Sequence, residues 1–151
     1  IGPARDGWML RIVGGGEEEA ALKALAAELG IHDSVGFVGQ VRDVASEYRV
    51  ASLYVMSSRW EGLPMTLLEA QHFGLPSVST DCPTGPREVL SGGSGRLVVP
   101  EDPQALADGL TGLTRDPDVR LGMACAAKEN ALRYRPQEIR RQWESMFGKL
   151  G

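Results

Sequence analysis

The chain has 151 residues, a length that suits one domain with a sheet covered by helices on both faces. Its content of 42% hydrophobic and 24% charged residues is typical of globular proteins and excludes disordered and fibrous classes. A formal net charge of −4 without a basic run argues against a nucleic-acid-binding surface, and no apolar segment is long enough to span a bilayer.

The cysteines and histidines form no metal or catalytic pattern. Cys82 and Cys125 lack metal-ligand spacing and are typical of free thiols in a reducing compartment, which favours a cytoplasmic location. His32 and His72 are isolated, and an isolated histidine is more often structural or solvent-facing than catalytic. Apart from Asp116-Pro117-Asp118, no cluster of acidic residues or histidines has metal-ligand spacing, so we expect a site that works without a metal.

The first third of the chain alternates predicted strands and helices. Residues 8–13 form an apolar strand, and three glycines precede an acidic helix over 17–29. The glycines either approach a phosphate or serve only as a tight turn, because the G-x-G-x-x-G pattern is incomplete. A strand over 34–38, a helix over 43–51 and a strand over 53–56 follow.

Residues 57–76 form the most informative stretch, a loop and a helix between two strands. Pro64 suits the first helical position, while Gly74 and Pro76 end the helix before a strand over 77–80. The result is a βαβ unit whose helix starts at the carboxyl end of a strand, where open parallel sheets bind their ligands.

The start of this helix is predicted to hold a phosphate. The N–H groups of Met65, Thr66 and Leu67 are expected to be free, and the helix dipole favours an anion beside them. Glu61 in the loop and Glu69 two turns into the helix flank this position. Carboxylates accept paired hydrogen bonds from vicinal hydroxyls, such as those of a ribose or a hexose.

The pattern continues to the end of the chain. A Pro/Gly loop over 81–85 becomes a helical turn at Pro86, and a strand follows over 94–100. Helices over 103–113 and 117–134 each begin with an Asp-Pro pair, which predicts an aspartate N-cap.

A last helix begins at Pro136 and carries apolar residues at helical spacing. We predict that this stripe packs against the domain, with partial exposure as the alternative. Its members are Ile139, Trp143, Phe147 and Leu150.

Four sequence blocks occur in an informative order. They are Ser-x-x-Glu-Gly-Leu-Pro, then Leu-Glu-Ala followed by Gly-Leu-Pro, then Thr-Gly-Pro-Arg-Glu-Val at 84–89, then Gly-Arg-Leu-Val at 95–98. Together they resemble the donor-binding, C-terminal half of retaining glycosyltransferases with the GT-B architecture, particularly family 4, whose E-x7-E motif would be Glu61 and Glu69. The resemblance covers nearly the whole chain and implies an α/β fold, a Rossmann-like parallel sheet with helices on both faces.

The resemblance also implies roles for individual residues. Glu61 would be the catalytic residue that binds hydroxyls of the donor sugar, and Glu69 would bind the ribose. The implied contacts with the donor sugar and its phosphates are Glu61, Gly62, Leu63, Met65, Thr66, Gly85 and Arg87. The implied base pocket consists of Phe37, Gly39 and Val41. The alternatives are that Phe37 is a core residue, that Arg42 is merely solvated, and that Arg87 and Glu88 are surface residues.

By the same resemblance, the substrate is a nucleoside-diphosphate sugar, and the sugar passes to an acceptor hydroxyl with retention of anomeric configuration. A UDP-sugar is preferred because the Cys-Pro-Thr-Gly-Pro-Arg-Glu variant, at 82–88, looks like bacterial polysaccharide or glycolipid transferases. A carbohydrate or lipid-linked acceptor would bind an N-terminal domain. That domain, with the first strand and its basic loop, is not recognisable before residue 8, so we expect a donor domain that is inactive alone. Any peripheral membrane association would belong to the missing half.

Three other interpretations fit parts of the sequence. A nucleotide-binding module without catalysis would share the same fold outline. A nicotinamide-dependent dehydrogenase is disfavoured by the incomplete glycine fingerprint and by the lack of a ribose-binding acid after the second strand. Asp116-Pro117-Asp118 matches the metal-binding D-x-D signature of another glycosyltransferase architecture, but its position between two helices favours an N-cap.

Overall fold

A computed structural model describes residues 7–148 of the chain. The chain divides into two compact units, Ile1–Val50 and Ala51–Gly151. Both units combine parallel strands with helices, as the alternation of strand and helix patterns predicts.

The first unit contains two parallel strands. Its elements are β1 (Leu10–Val13), α1 (Glu19–Glu28), a 3-10 helix (His32–Ser34), β2 (Val35–Gly39) and α2 (Val44–Val50). Leu10 lies opposite Val35 and Ile12 opposite Phe37, and the register shifts after Ile12.

The second unit is built on a three-stranded sheet. Its elements are β3 (Tyr54–Met56), α3 (Met65–His72), β4 (Ser77–Thr80), α4 (Pro86–Val89), β5 (Gly95–Val98), α5 (Pro103–Arg115), α6 (Pro117–Ala131), a 3-10 helix (Leu132–Tyr134) and α7 (Pro136–Phe147). The strand order is β3-β4-β5 and all pairs are parallel. The loops that follow these strands therefore leave from the same edge of the sheet.

The core of the second unit surrounds β4, whose four residues are all buried. A hydrophobic cluster of Met56, Leu67, Val89 and Leu90 joins β3, α3 and α4. The central strand β4 is buried along its whole length, which explains why Ser77–Thr80 is a continuous run of small and apolar residues without alternation.

A buried hydrogen-bond network connects α3 to α6. The side chain of Gln71 is fully buried and donates to the hydroxyl of Ser77 at 3.2 Å and to the carbonyl of Ser94 at 3.0 Å. The amide of Asn130 donates to Gln71 Oε1 at 3.2 Å and to the carbonyl of Val89 at 2.5 Å. Because each buried polar group in this network has a partner, it fixes α3 without a desolvation penalty.

The two Asp-Pro helix starts are confirmed. The carboxylate of Asp102 accepts from the N–H groups of Gln104 and Ala105, both at 3.0 Å. The carboxylate of Asp116 accepts from the N–H groups of Asp118 and Val119, both at 3.0 Å. Asp116 is therefore an N-cap residue, as its position between two helices predicts.

Several predicted boundaries are shifted. The first strand begins at Leu10 and not at residue 8, and the helix predicted over 117–134 ends at Ala131 before a 3-10 turn. Pro64 is the N-cap of α3, whose first helical residue is Met65. Helix ends are set by local hydrogen bonding, which composition only approximates.

The packing predicted for the apolar stripe of the last helix is wrong for its aromatic residues. Trp143 is 53% exposed and Phe147 60% exposed, and their rings stack on each other at 5.6 Å. Leu150 lies outside the described residues. Within residues 7–148, no helix combines the length and the apolar content needed to cross a membrane.

Candidate functional site

The loop after β3 holds Glu61 in a defined position. Ser58 donates its hydroxyl to Glu61 Oε1 at 2.6 Å. The carbonyl of Ser58 in turn accepts from the hydroxyl of Thr80, at the end of β4, at 2.5 Å. The carboxylate of Glu61 is thus tied through one residue to the neighbouring strand, and hydrogen bonds to a charged acceptor are among the stronger ones in proteins.

The loop after β4 packs directly on the loop after β3. The hydroxyl of Thr84 contacts the carbonyl of Glu61, and Gly85 has a φ of +91°. A Cβ atom at Gly85 would lie 2.4 Å from the carbonyl oxygen of Gly62 and 2.5 Å from Cδ of Pro64. Only glycine permits both this backbone conformation and this close approach. Gly85, a predicted donor contact, therefore has a clear role in joining the two loops.

The first turn of α3 starts at this junction. The N–H groups of Leu67 and Leu68 both donate to the carbonyl of Pro64 at 3.1 Å. The prediction of a free N–H on Leu67 is therefore wrong, because Pro64 acts as the N-cap and accepts it. Met65 and Thr66 lie at the positive end of the helix dipole, where an anion is favoured.

Tyr54 is influenced electrostatically by both predicted carboxylates. Its phenol donates to the hydroxyl of Thr66 at 2.8 Å. Burial raises the pKa of Tyr54, the hydrogen bond to Thr66 lowers it, and the negative charges of Glu61 and Glu69 raise it further. Glu61 in the loop and Glu69 on the helix therefore both act on the same phenol, while their roles as an E-x7-E pair stay a prediction.

Arg87 is an exposed residue on α4 and forms an ion pair with Asp81. Asp81 belongs to the loop after β4, and its N–H donates to the carbonyl of Val98 on β5 at 2.8 Å. The side chain of Arg87 is exposed, as expected if Arg87 is a surface residue. Arg87 is paired with an acidic residue of the loop after β4, and its predicted phosphate role stays a prediction.

The same edge presents apolar side chains to solvent. Trp60 is 80% exposed, while Leu63 and Met65, both predicted donor contacts, are 52% and 57% exposed. Gly62, also predicted, is exposed between them. These side chains are accessible to a ligand, whereas the neighbouring Pro64 and Leu67 are buried in the core.

The predicted base-pocket residues belong to the first unit. Phe37 is half-buried on β2, with the Lys23 ammonium 5.5 Å from its ring centre. The carbonyl of Gly39 accepts from the N–H of Gly14 at 2.8 Å, so part of the glycine turn after β1 is used in backbone pairing. Val41 is half-buried in the loop after β2.

The remaining reactive side chains do not converge. In the described part of the chain, no three or more His, Cys, Asp or Glu residues are grouped to hold a metal ion. His32 and His72 are exposed, Cys82 is buried and Cys125 is exposed. The site after β3 and β4 therefore offers carboxylates, hydroxyls and a helix N-terminus as its chemical groups.

Three residues at this site were assigned no individual role from the sequence, although Ser58 and Thr84 are the first residues of two of the four blocks. They are Tyr54, Ser58 and Thr84. Only Ser58 has a local signal, since it precedes Glu61 by three residues in a loop. Tyr54 resembles any other aromatic residue of a buried strand, and the contact of Thr84 depends on the packing of two loops.

Comparison with known proteins identifies the family. The model of the family described as glycosyl transferases group 1 matches residues 3–130. An exopolysaccharide phosphotransferase from Streptomyces coelicolor, SCO2592, is 37% identical over 150 residues, which are 98% of this chain and 16% of that protein. The amylovoran biosynthesis glycosyltransferase AmsD of Erwinia amylovora is 33% identical over 95% of this chain and 40% of its own.

The fold is shared with solved structures. The Anabaena protein Alr3699/HepE, crystallised with UDP, superposes with a TM-score of 0.83 at 23% identity, over 94% of this chain and 41% of that one. The predicted α/β fold with parallel sheets is confirmed. The chain spans less than half the length of each of these three proteins. Because the family model matches most of its residues, the chain belongs to the glycosyl transferases group 1 family.

Proposed function

We propose that this chain binds a nucleoside-diphosphate sugar, with UDP-sugar preferred, for retaining transfer of the sugar to an acceptor hydroxyl in the manner of family 4 enzymes. The observation that carries the proposal is that Glu61, on the loop after β3, and Glu69, on α3, both act electrostatically on Tyr54, whose phenol donates to Thr66 in the first turn of α3. This placement combines an anion site with two acceptors for sugar hydroxyls.

The comparisons support the choice of donor and product class. The Anabaena protein of similar fold was crystallised with UDP and also with UDP-glucose. AmsD is named for amylovoran biosynthesis, and a relative from Salmonella typhimurium, 37% identical over 100 residues, is named a lipopolysaccharide 1,6-galactosyltransferase. We infer a carbohydrate or lipid-linked acceptor, bound by parts of the whole protein beyond this chain.

The chemistry requires stabilisation of a leaving diphosphate. The bond between the anomeric carbon and a diphosphate oxygen breaks, and the diphosphate leaves with the electron pair. The acceptor oxygen then bonds to the anomeric carbon and loses its proton. The dipole of α3 at Met65 and Thr66 stabilises the charge that develops on the diphosphate, and Arg87 contributes a positive charge from α4.

The two carboxylates have different tasks in this proposal. Glu61, fixed by Ser58, holds hydroxyls of the donor sugar while positive charge develops at the anomeric carbon. Glu69, exposed on α3, binds the vicinal hydroxyls of the ribose. We propose that no metal ion takes part, since the helix N-terminus and Arg87 supply the positive potential.

The first experiment is a calorimetric titration of the chain with UDP, GDP, ADP and NAD, repeated on Glu69→Ala. We expect selective binding of UDP and a loss of about 1–3 kcal/mol in the variant, because a charged hydrogen-bond acceptor is removed. Glu129→Ala, which removes an exposed carboxylate from α6, is the matched control and should bind UDP as the parent chain does. Binding of NAD in place of UDP would overturn the assignment.

A second candidate function follows from the name of SCO2592, an exopolysaccharide phosphotransferase. Transfer of a sugar from a UDP-sugar releases UDP. Transfer of the sugar phosphate from the same donor instead breaks the phosphoanhydride bond between the two phosphates and releases UMP. Chromatography of the nucleotide released by the whole protein distinguishes the two reactions. Release of UMP would favour phosphotransfer and overturn the proposed sugar transfer.

A further inference from the structure

The ring and the hydroxyl of Tyr54 have different surroundings. Its ring packs against the core cluster formed by Met56, Leu67, Val89 and Leu90. Its hydroxyl reaches out of this cluster and donates to Oγ1 of Thr66 at 2.8 Å. A phenol with a buried ring and a satisfied hydroxyl is held rigidly, because tyrosine has few rotatable bonds to order.

The hydrogen bond joins β3 to the beginning of α3. Tyr54 is the first residue of β3, and Thr66 is the second residue of the helix. The backbone of the same turn is held by the N–H groups of Leu67 and Leu68 on the Pro64 carbonyl. The phenol therefore adds a side-chain restraint from the sheet to this turn.

The electrostatic surroundings favour the protonated phenol. Burial and the charges of Glu61 and Glu69 raise the pKa of Tyr54, whereas the hydrogen bond to Thr66 lowers it. A phenol with the ordinary pKa of 10.0 is already protonated at neutral pH, so the hydroxyl can donate to Thr66 throughout the neutral range.

We propose that Tyr54 is a positioning residue for the donor diphosphate: its phenol holds Thr66 and the first turn of α3 in the orientation that binds the phosphates. The inference rests on the proposed function, since it assigns the diphosphate to this turn. Tyr54 lies on β3 and outside the four sequence blocks, so donor affinity would also depend on a residue of the sheet.

The test is a double-mutant cycle in UDP affinity with Tyr54→Phe, Thr66→Val and the double variant. Tyr54→Phe keeps the buried ring and should weaken UDP binding about threefold to tenfold, the effect of one lost hydrogen bond. The double variant should bind no more weakly than Thr66→Val alone, because Tyr54 acts through Thr66. Thr66→Ser keeps the hydroxyl and should retain most of the affinity.

Two controls separate positioning from a general loss of structure. Tyr134→Phe removes a phenol that donates to the carbonyl of Glu88 at 2.7 Å, a bond of the same kind in the same unit, and should leave UDP affinity unchanged. Thermal unfolding of each variant identifies any that fail to fold, and Thr66→Val, at an exposed position, provides the test if Tyr54→Phe does not fold.

The outcomes distinguish this inference from the proposed function. If Glu69→Ala weakens UDP binding while Tyr54→Phe binds like the parent chain, only the positioning role is overturned. Independent, additive effects of Tyr54→Phe and Thr66→Val would also overturn it. If the parent chain does not bind UDP, the proposed function fails, and the positioning role fails with it.

Discussion

At the scale of single residues, the hydroxyl of Ser58 determines how Glu61 is presented. The serine donates to one carboxylate oxygen at 2.6 Å and leaves the other oxygen for a ligand. Without this bond the carboxylate gains rotamers, and a ligand must then order it at a cost in affinity.

We therefore expect Ser58→Ala to weaken binding of UDP-glucose about tenfold, or ~1.4 kcal/mol, while binding of UDP changes less than about twofold. The reason is that Glu61 is assigned to the sugar and not to the nucleotide. Parallel titrations with both ligands measure the difference. Ser57→Ala, at the exposed neighbouring position, is the control. An equal loss of affinity for UDP and for UDP-glucose would show that Glu61 contacts the nucleotide and not the sugar.

Tyr54 also gives a prediction about pH. Its pKa in the folded chain is raised above the ordinary value of 10.0, first by burial and then by Glu61 and Glu69. The folded state therefore holds the phenolic proton more tightly than the unfolded state. The resulting stability is fully present below pH 10.0 and is lost as the pH rises through the folded-state pKa.

We expect the free energy of unfolding to fall more steeply above pH 10.0 in the parent chain than in Tyr54→Phe, which has no phenol to ionise at this position. Urea unfolding at several pH values measures both curves. Tyr134→Phe is again the comparison, because it leaves Tyr54 in place. Parallel curves for the parent chain and Tyr54→Phe would contradict the raised pKa.

At the scale of elements, the sequence predicts what depends on near neighbours. The order of strands and helices follows from short apolar runs and from breakers such as Gly74 and Pro76, and the helix starts at Asp102 and Asp116 follow from their own side chains. The network of Gln71 and Asn130 could not be predicted, because 59 residues separate the two amides and either one alone resembles a surface residue of a helix.

This network gives the prediction for helix packing. Asn130→Ala removes the donors to Gln71 Oε1 and to the Val89 carbonyl and leaves both acceptors buried. We expect a loss of about 1–3 kcal/mol in the free energy of unfolding, measured in urea. Glu129→Ala, one residue earlier on the exposed face of α6, should change it by less than about 0.5 kcal/mol. Equal effects of the two variants would show that the network contributes nothing to stability.

At the scale of the whole molecule, four short blocks in order were enough to predict the family and the fold. The blocks include loop contacts that the fold needs, as Gly85 against Gly62 and Pro64 illustrates. The acceptor leaves less trace, because the relatives are more than twice as long as the part that this chain spans.

The last prediction concerns turnover. All the groups that we assign to chemistry, from Glu61 to Arg87, act on the donor, and none provides an acceptor hydroxyl with a binding surface. Because holding both reactants in place supplies much of an enzyme's rate, we expect this chain to bind UDP-glucose but to release UDP far more slowly than typical enzymatic rates of about 1–10³ s⁻¹. A coupled assay for UDP measures the rate, with Glu61→Ala as the background. Release at an enzymatic rate from the chain alone, abolished in Glu61→Ala, would show that the acceptor side is also encoded in these 151 residues.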